Sequence, residues 1–328
     1  LEIYEIYNKH NKSLKIYNID SVNNENNIIT SYIHDGSANN NTEYNLNFSE
    51  DTLCDILIVG GGGGGGSDNS GGGGAGGLVF LQDITLNGNI VIKVGKGGSG
   101  ANADQSNKGL NGIFSSIIYT ETFVAEGGGG GGTGQSDSSR ANGEDGGSGG
   151  GSARETYNAT PGISIQNQYI LNGVRRGWGF SGGTGKSASQ GSGGGGGGAS
   201  EDGVDGQEEG NKLGGRGGDG MNLSSTFGNS LGDNGWFAGG GGGGNDNDTS
   251  SIELSDGSGK SNRGGKGGGG GGGYSSTYQG GINGLNNSGG GGGGTTYWAN
   301  TKGGDGGSGI VIILRKNPVF TTNVEEIK

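Results

Sequence analysis

Residues 54–83 read "CDILIVGGGGGGGSDNSGGGGAGGLVFLQD", and the meaning of those glycines decides the fold. A strand, a glycine turn and a distant acid are the parts of a dinucleotide-binding unit. Such a unit needs G-x-G-x-x-G at the start of a helix and an acidic residue roughly 20 positions on. The strand Ile56 to Val59 and the acid Asp83 fit this pattern, but the helix is missing. Between Gly60 and Gly77 the only other residues are Ser67, Asp68, Asn69, Ser70 and Ala75, and glycine costs about 1 kcal/mol per helical position relative to alanine. No helix N-terminus forms there to receive a pyrophosphate. The glycines have another role.

Glycine supplies 90 of the 328 residues, against about 7% in an average chain. Collagen is excluded, because there are two prolines and no G-X-Y period. The hydrophobic fraction of 27% and net charge of -12 border on a disordered composition. A single cysteine, Cys54, excludes an intramolecular disulfide framework and a thiolate metal cluster. No apolar stretch reaches the ~18 residues of a membrane span. The acidic balance argues against nucleic acid as a partner.

Residues 1–59 hold almost no glycine and read as strands at Leu1–Tyr7, Ser13–Ile19, Ile28–His34, Thr42–Phe48 and Leu53–Val59. In "EYNLNF", Tyr44, Leu46 and Phe48 fall on one face and Asn45 and Asn47 on the other, as in a half-buried strand. The link Ser49–Thr52 is short enough for a hairpin. Further strands are expected at Leu78–Leu81, Asn89–Val94, Ile113–Tyr119, Ile163–Ile170 and Gly309–Arg315. The last is the most apolar run and is expected to close the sheet that the N-terminal strands begin. The organisation expected is a strand segment over 1–41, a sheet with a glycine-rich region over 42–315, and a tail over 316–328.

Glycine runs of similar length occupy 60–66, 127–132, 193–198, 239–244, 267–273 and 289–294. In polyproline II geometry, at about 3.1 Å per residue, each spans roughly 20 Å, the length of an ordinary strand. Such a helix has no internal hydrogen bonds, so its N–H and C=O groups need neighbouring chains or water. Runs packed side by side satisfy one another, and only glycine lets backbones approach so closely. Gly63, Gly130, Gly196, Gly242, Gly270 and Gly292 are the expected central struts of this bundle.

The order of these parts resembles a known class. "CDILIVGGGGGGG", "ITLNGNIVIKVGKGGSG", "TFVAEGGGGGG" and "GGDGGSGIVIILR" are similar to the glycine-rich domain of large DNA virus and bacteriophage proteins. Similar patterns occur in adhesins at phage tail-fibre tips and in the glycine-rich extracellular region of anaplastic lymphoma kinase receptors. The resemblance covers approximately residues 42–315. It implies an all-β fold with little or no helix, a jelly-roll-like antiparallel β-sandwich with an inserted bundle of polyglycine II helices. For the viral members it implies a structural or host-attachment role. The chain departs from the receptor in lacking a kinase, a membrane span and paired cysteines.

Candidate chemistry is sparse. Two histidines, His10 and His34, have no acid and nucleophile around them, so no enzyme is expected. "GGRGGDGMN" (214–222) fits the calcium-binding nonapeptide, with Asp219 as carboxylate and Met221 as the large apolar residue. Stacked repeats of that motif are absent, so the expectation is no cofactor, with structural calcium at Asp219 or in the acidic loop "EDGVDGQEEG" (201–210) as the open option. Trp178, Trp236 and Trp298 all lie in the glycine region. They are expected either to cover the glycine bundle or to stack on sugar rings as ligand contacts.

These readings point to a non-enzymatic structural protein of a virion surface or extracellular fibre, assembling with itself through β-strand contacts. The alternative is a host-attachment adhesin that binds a surface glycan or protein through loops between glycine runs. An antifreeze role would need short repeated Thr or Ala positions, which these loops lack.

Overall fold

A computed structural model describes residues 2–7, 13–19, 27–103, 107–134, 138–154, 158–186, 191–207, 213–245, 262–274, 280–296 and 301–316. The first strands in chain order are β1 (Glu2–Tyr7), β2 (Ser13–Ile19), β3 (Asn27–Ile33), β4 (Asn41–Val59), β5 (Leu78–Gly95), β6 (Ser115–Ile118) and β7 (Thr122–Ala125). Short pieces follow: β8 (Ile170–Leu171), β9 (Val174–Arg175), β10 (Gly177–Trp178), β11 (Met221–Asn222) and β12 (Trp236–Phe237). The last strand is β13 (Ile310–Arg315). The described residues contain two helices of one turn, α1 (Ser138–Ala141) and α2 (Ser224–Phe227). The fold is all-β.

The main sheet runs β1-β2-β3-β13-β4-β5-β6-β7, with β10 on β5, and its pairs are antiparallel. The last strand is therefore central, registered Ile310↔Ile33 on one side and Ile310↔Val59 on the other. The sheet also crosses the expected division at residue 41, because β3 is bonded into it through β13.

Two expected strands at 42–48 and 53–59 are one. Ser49–Thr52 makes no hairpin but lies within β4, where the register with β5 shifts between Phe48 and Thr52 and again between Cys54 and Ile56. Such irregularities bend a strand pair. A straight strand over 78–95 would span about 56 Å at ~3.3 Å per residue. Instead the Gly309 N–H, next to the start of β13, reaches the Gly95 carbonyl at the far end of β5. The long β4–β5 hairpin thus folds over onto its own base.

Burial explains the sequence along this hairpin. Tyr44 and Phe48 are buried while Glu43, Asn45 and Asn47 are exposed, the alternation of a strand wet on one face. Ile56, Leu57, Ile58 and Val59 are all fully buried, because here both faces are covered. On one face Ile56 and Ile58 join Val79, Leu81, Ile90, Ile92, Ile117, Phe123 and Val311. On the other Leu57 and Val59 join Leu78, Phe80, Ile310 and Ile312 under Leu223, Phe227 and Phe237. The Phe80 and Phe227 rings meet edge to face at 5.7 Å.

Residues 163–170 do not form the expected strand; only Ile170 at their end enters β8. Their polar side chains bond the backbone of β7 instead. Gln166 Nε2 donates to the Val124 carbonyl, Gln166 Oε1 accepts the Glu126 N–H, and Tyr169 Oη accepts the Val124 N–H. Side chains thereby occupy the open edge of the sheet.

The bend is held by charge. Lys316 Nζ lies 2.7 Å from Asp55 Oδ1 and 2.6 Å from Asp83 Oδ1, and the Asp83 N–H donates to Asp55 Oδ1. Asp83 has φ +57°, a left-handed conformation that aspartate adopts more readily than most residues. Burial alone would lower the Lys316 pKa, but hydrogen bonds and charge from the two carboxylates raise it. A raised lysine pKa adds stability that is complete below the usual lysine value and is lost as pH rises through the folded value. Lys316→Met leaves the buried Asp55 carboxylate unmatched and should cost about 2 kcal/mol. Urea unfolding at pH 7 measures it, and the gap between variant and parent should shrink at strongly alkaline pH.

Candidate functional site

The strands hand directly over to glycine: β4 ends at Val59 and β5 begins at Leu78, with residues 60–77 between them. Along 60–66 the backbone donors point in three directions in turn. Gly60, Gly63 and Gly66 donate to Gly77, Gly74 and Gly71; Gly61 and Gly64 to Ile113 and Leu110; Gly62 and Gly65 to Gly307 and Gly304. The carbonyls of this segment accept in the same rotation, Gly61 and Gly64 from Gly128 and Gly131, Gly62 and Gly65 from Gly98 and Ala101, and Gly63 from Gly292. The 60–66 segment is thus bonded all round, by the next segment of the chain at 71–77 and by segments distant in sequence.

The six glycines expected as struts each donate their N–H within this laterally bonded glycine region or accept from it. Gly292 donates to the Gly63 carbonyl, Gly242 to Gly270, Gly270 to Gly291 and Gly196 to Gly241. Gly130 donates to Asn111 Oδ1 at 2.9 Å. A Cβ at Gly63, Gly130, Gly196, Gly242, Gly270 or Gly292 would run into the carbonyl oxygen of Gly129, Gly109, Gly73, Asn262, Ile282 or Gly304, respectively. The hydrogen that occupies that position faces the carbonyl, the arrangement of a weak Cα–H···O contact. Ala75 is the exception within 71–77, and its fully buried methyl group packs with Leu57, Val59 and Leu78.

At the perimeter, where a rod lacks a neighbour, Asx-Gly pairs take over. Thr160 donates its N–H to Asn142 Oδ1 and accepts from Gly143; Ile163 does the same with Asp145 and Gly146. Ser181 is held by Asp202 and Gly203, Thr184 by Asp205 and Gly206, Lys266 by Asp219 and Gly220, and Asp305 by Asn283 and Gly284. In every case a carboxylate or amide oxygen takes the N–H and the following glycine gives its own N–H to the carbonyl of that same residue. Each held residue carries a side chain. The sequence signal was "NGEDG" (142–146) and "DGVDG" (202–206), Asx-Gly at the three-residue period of the rods.

Asp219 and Glu201 of the sequence that had suggested a cation are engaged within the chain, while residues 208–210 of the acidic loop lie outside the described residues. Asp219 Oδ1 accepts from Arg216 Nη1 at 3.0 Å and from the Lys266 N–H, and Glu201 Oε1 meets Arg216 Nη2 at 2.6 Å. Arg216 is almost fully buried, so the two carboxylates match its charge. Burial alone would raise the Glu201 pKa, but the Arg216 hydrogen bond, the Asp219 N–H and the charges of Arg216 and Arg263 outweigh it and lower the value. Among the described residues no group of three His, Cys, Asp or Glu side chains surrounds a cation position.

Trp178 and Trp236 are half-buried and lie apart from each other in sequence and pairing. Trp178 pairs with Leu78 and packs against the outer apolar cluster. Trp236 pairs with Asn222, and Lys266 Nζ sits 4.9 Å from its ring centroid. Trp298 and His10 lie outside the described residues. His34 is engaged locally, with Nε2 3.0 Å from the Asn39 carbonyl and Nδ1 accepting the Gly36 N–H. It borders a polar cleft of about 410 Å³ shared with Lys96, Asn283, Asn286 and Asp305. Cys54 is fully buried, and burial pushes its thiol up to about 12.

Two tests follow from this geometry. Gly63→Ala should cost about 3 kcal/mol or more by overpacking against Gly129. Gly271→Ala, whose Cβ would meet only Ile282 Cδ1 at 3.5 Å and the Asn262 carbonyl at 3.7 Å, should lie within about 1 kcal/mol of the parent. Equal thermal stability of the two variants would contradict the bundle. Separately, Cys54 should resist iodoacetamide at pH 8 in the native protein and react once unfolded, because only the thiolate attacks; intact mass reads both states.

No helix among the described residues is long and apolar enough to cross a membrane. Among curated proteins, none matches the chain. A family profile described as a glycine-rich domain matches residues 38–315, the span from the turn before β4 to the end of β13. Strands β4 to β13, the glycine segments and their perimeter fall within that match while β1, β2 and β3 precede it, and the chain belongs to the glycine-rich domain family.

Proposed function

We propose that the chain is a non-enzymatic structural module whose glycine segments are polyglycine II helices, inserted into a sheet that folds over as a jelly-roll-like sandwich. In this reading the bundle is a stiff, protease-resistant body, and copies join through strands of the sheet to build a virion surface or extracellular fibre. The observation that carries it is the 60–66 rod, whose successive N–H groups bond three separate rods in rotation. Two of the three directions couple parts of the chain far apart in sequence, Gly61 and Gly64 with Ile113 and Leu110, Gly62 and Gly65 with Gly307 and Gly304, so the body resists local opening. The viral or extracellular setting is supported by the resemblance of the strand and glycine order.

A second reading, attachment to a host surface, is favoured by Ile163, Ile165, Ile170 and Val174, each at least half exposed within one short stretch beside the bundle. Negative-stain electron microscopy of the purified protein at neutral pH separates the two. Filaments or closed oligomers, unchanged by chelator because Asp219 is matched to Arg216, are the expected outcome. Dispersed particles that bind on a glycan array would replace assembly with attachment.

A further inference from the structure

We infer that the perimeter Asx-Gly pairs form an edge seal that keeps the outer segments of other copies of this chain from adding to the bundle. A glycine rod associates through its N–H and C=O groups, and an outer rod would present a row of them, as an edge strand does. In a folded copy the long glycine runs are mostly buried, but the outer segment 181–184 of a second copy carries the matching N–H and C=O groups. A second copy is therefore the occupant that the unsealed surface would select.

The seal uses both groups that a new rod needs. On 181–184 the N–H of Ser181 lies 2.8 Å from Asp202 Oδ1 and that of Thr184 2.7 Å from Asp205 Oδ1. Their carbonyls accept from Gly203 and Gly206. On 160–163 Asn142 and Asp145 repeat the arrangement at the same three-residue spacing. Between those two positions stands Pro161, which has no N–H to offer, while Gly162 donates inward to Gly150. The rotation of donors would have sent the N–H of residue 161 in the third direction. On 305–308 Asn283 and Asn286 take the N–H groups of Asp305 and Ser308. Asp202 and Asp205 are exposed, so these bonds lie where an incoming rod would arrive.

The seal is independent of assembly through the sheet. Sedimentation velocity over a concentration series compares the parent with Asp202→Ala/Asp205→Ala and Asp202→Asn/Asp205→Asn. Both pairs remove two negative charges, but only the asparagines keep the accepting oxygens. The alanine pair should self-associate at roughly tenfold lower concentration than the parent, as two newly available hydrogen bonds imply, and the asparagine pair should match the parent. A folded alanine pair with parental behaviour, or association equal in both pairs, would overturn the seal. Strand-mediated assembly would show in all three proteins alike, so its absence leaves this comparison intact. Should the alanine pair fail to fold, hydrogen exchange on the parent decides. Ser181 and Thr184 amides should exchange as slowly as those of Gly195 and Gly196, and exchange at the rate of open loops rejects the proposal.

Discussion

A peptide backbone without side chains has only its N–H and C=O groups to spend on order, and every other feature of this protein serves to pair them. Fixing one residue costs about 1 to 2 kcal/mol of conformational entropy, and glycine loses more than any other residue. A lateral hydrogen bond contributes about 0.5 to 1.5 kcal/mol net, and a Cα–H···O contact about 0.5 to 1. The two sides nearly balance, so rods in isolation would be marginal. Apolar burial tips the balance, and it is concentrated where Ile56–Val59 and Ile310–Leu314 are covered on both faces. The sheet anchors the rods, and the rods extend its strands.

Side chains that would be unremarkable elsewhere act here as substitutes for missing backbone. Gln166 and Tyr169 stand in for a strand beside β7, and Asx-Gly pairs stand in for rods beside 160–163 and 181–184. The same economy appears at the bend, where Lys316 and two aspartates replace the ladder bonds that the register shifts remove. Fold edges are thus finished with polar atoms from within the chain.

Much of this was legible in the sequence. Alternation at Tyr44, Leu46 and Phe48 gave one face of β4, and the glycine runs marked the segments whose backbones bond laterally between the strands. The merging of 42–48 with 53–59 was not legible, because "SEDT" has turn composition and only the pairing with β5 shows it to be a bulge. Residues 163–170 misled for a related reason: their β-branched residues suit a strand, but Gln166 and Tyr169 turn to β7. The Asx-Gly pairs were visible as letters and opaque as chemistry, since Asp202 and Asp205 mean nothing until 181–184 is known to lie beside them. Among the residues singled out for binding, Asp219 lies against Arg216 and Trp236 under Lys266. No local pattern announces either partner.

The 289–294 rod lies near the end of the chain, yet it bonds Gly63 and accepts from Gly73 and Gly76, near its beginning. The central strand β13 comes later still. Contacts of such sequence separation make folding slow, because loop closure precedes any gain. During synthesis the first glycine segments emerge with no partners and wait, solvated, while most of the chain is made. The nascent protein is consequently exposed for longer than a helical domain of the same length, since β3 and β4 have no strand between them until β13 arrives.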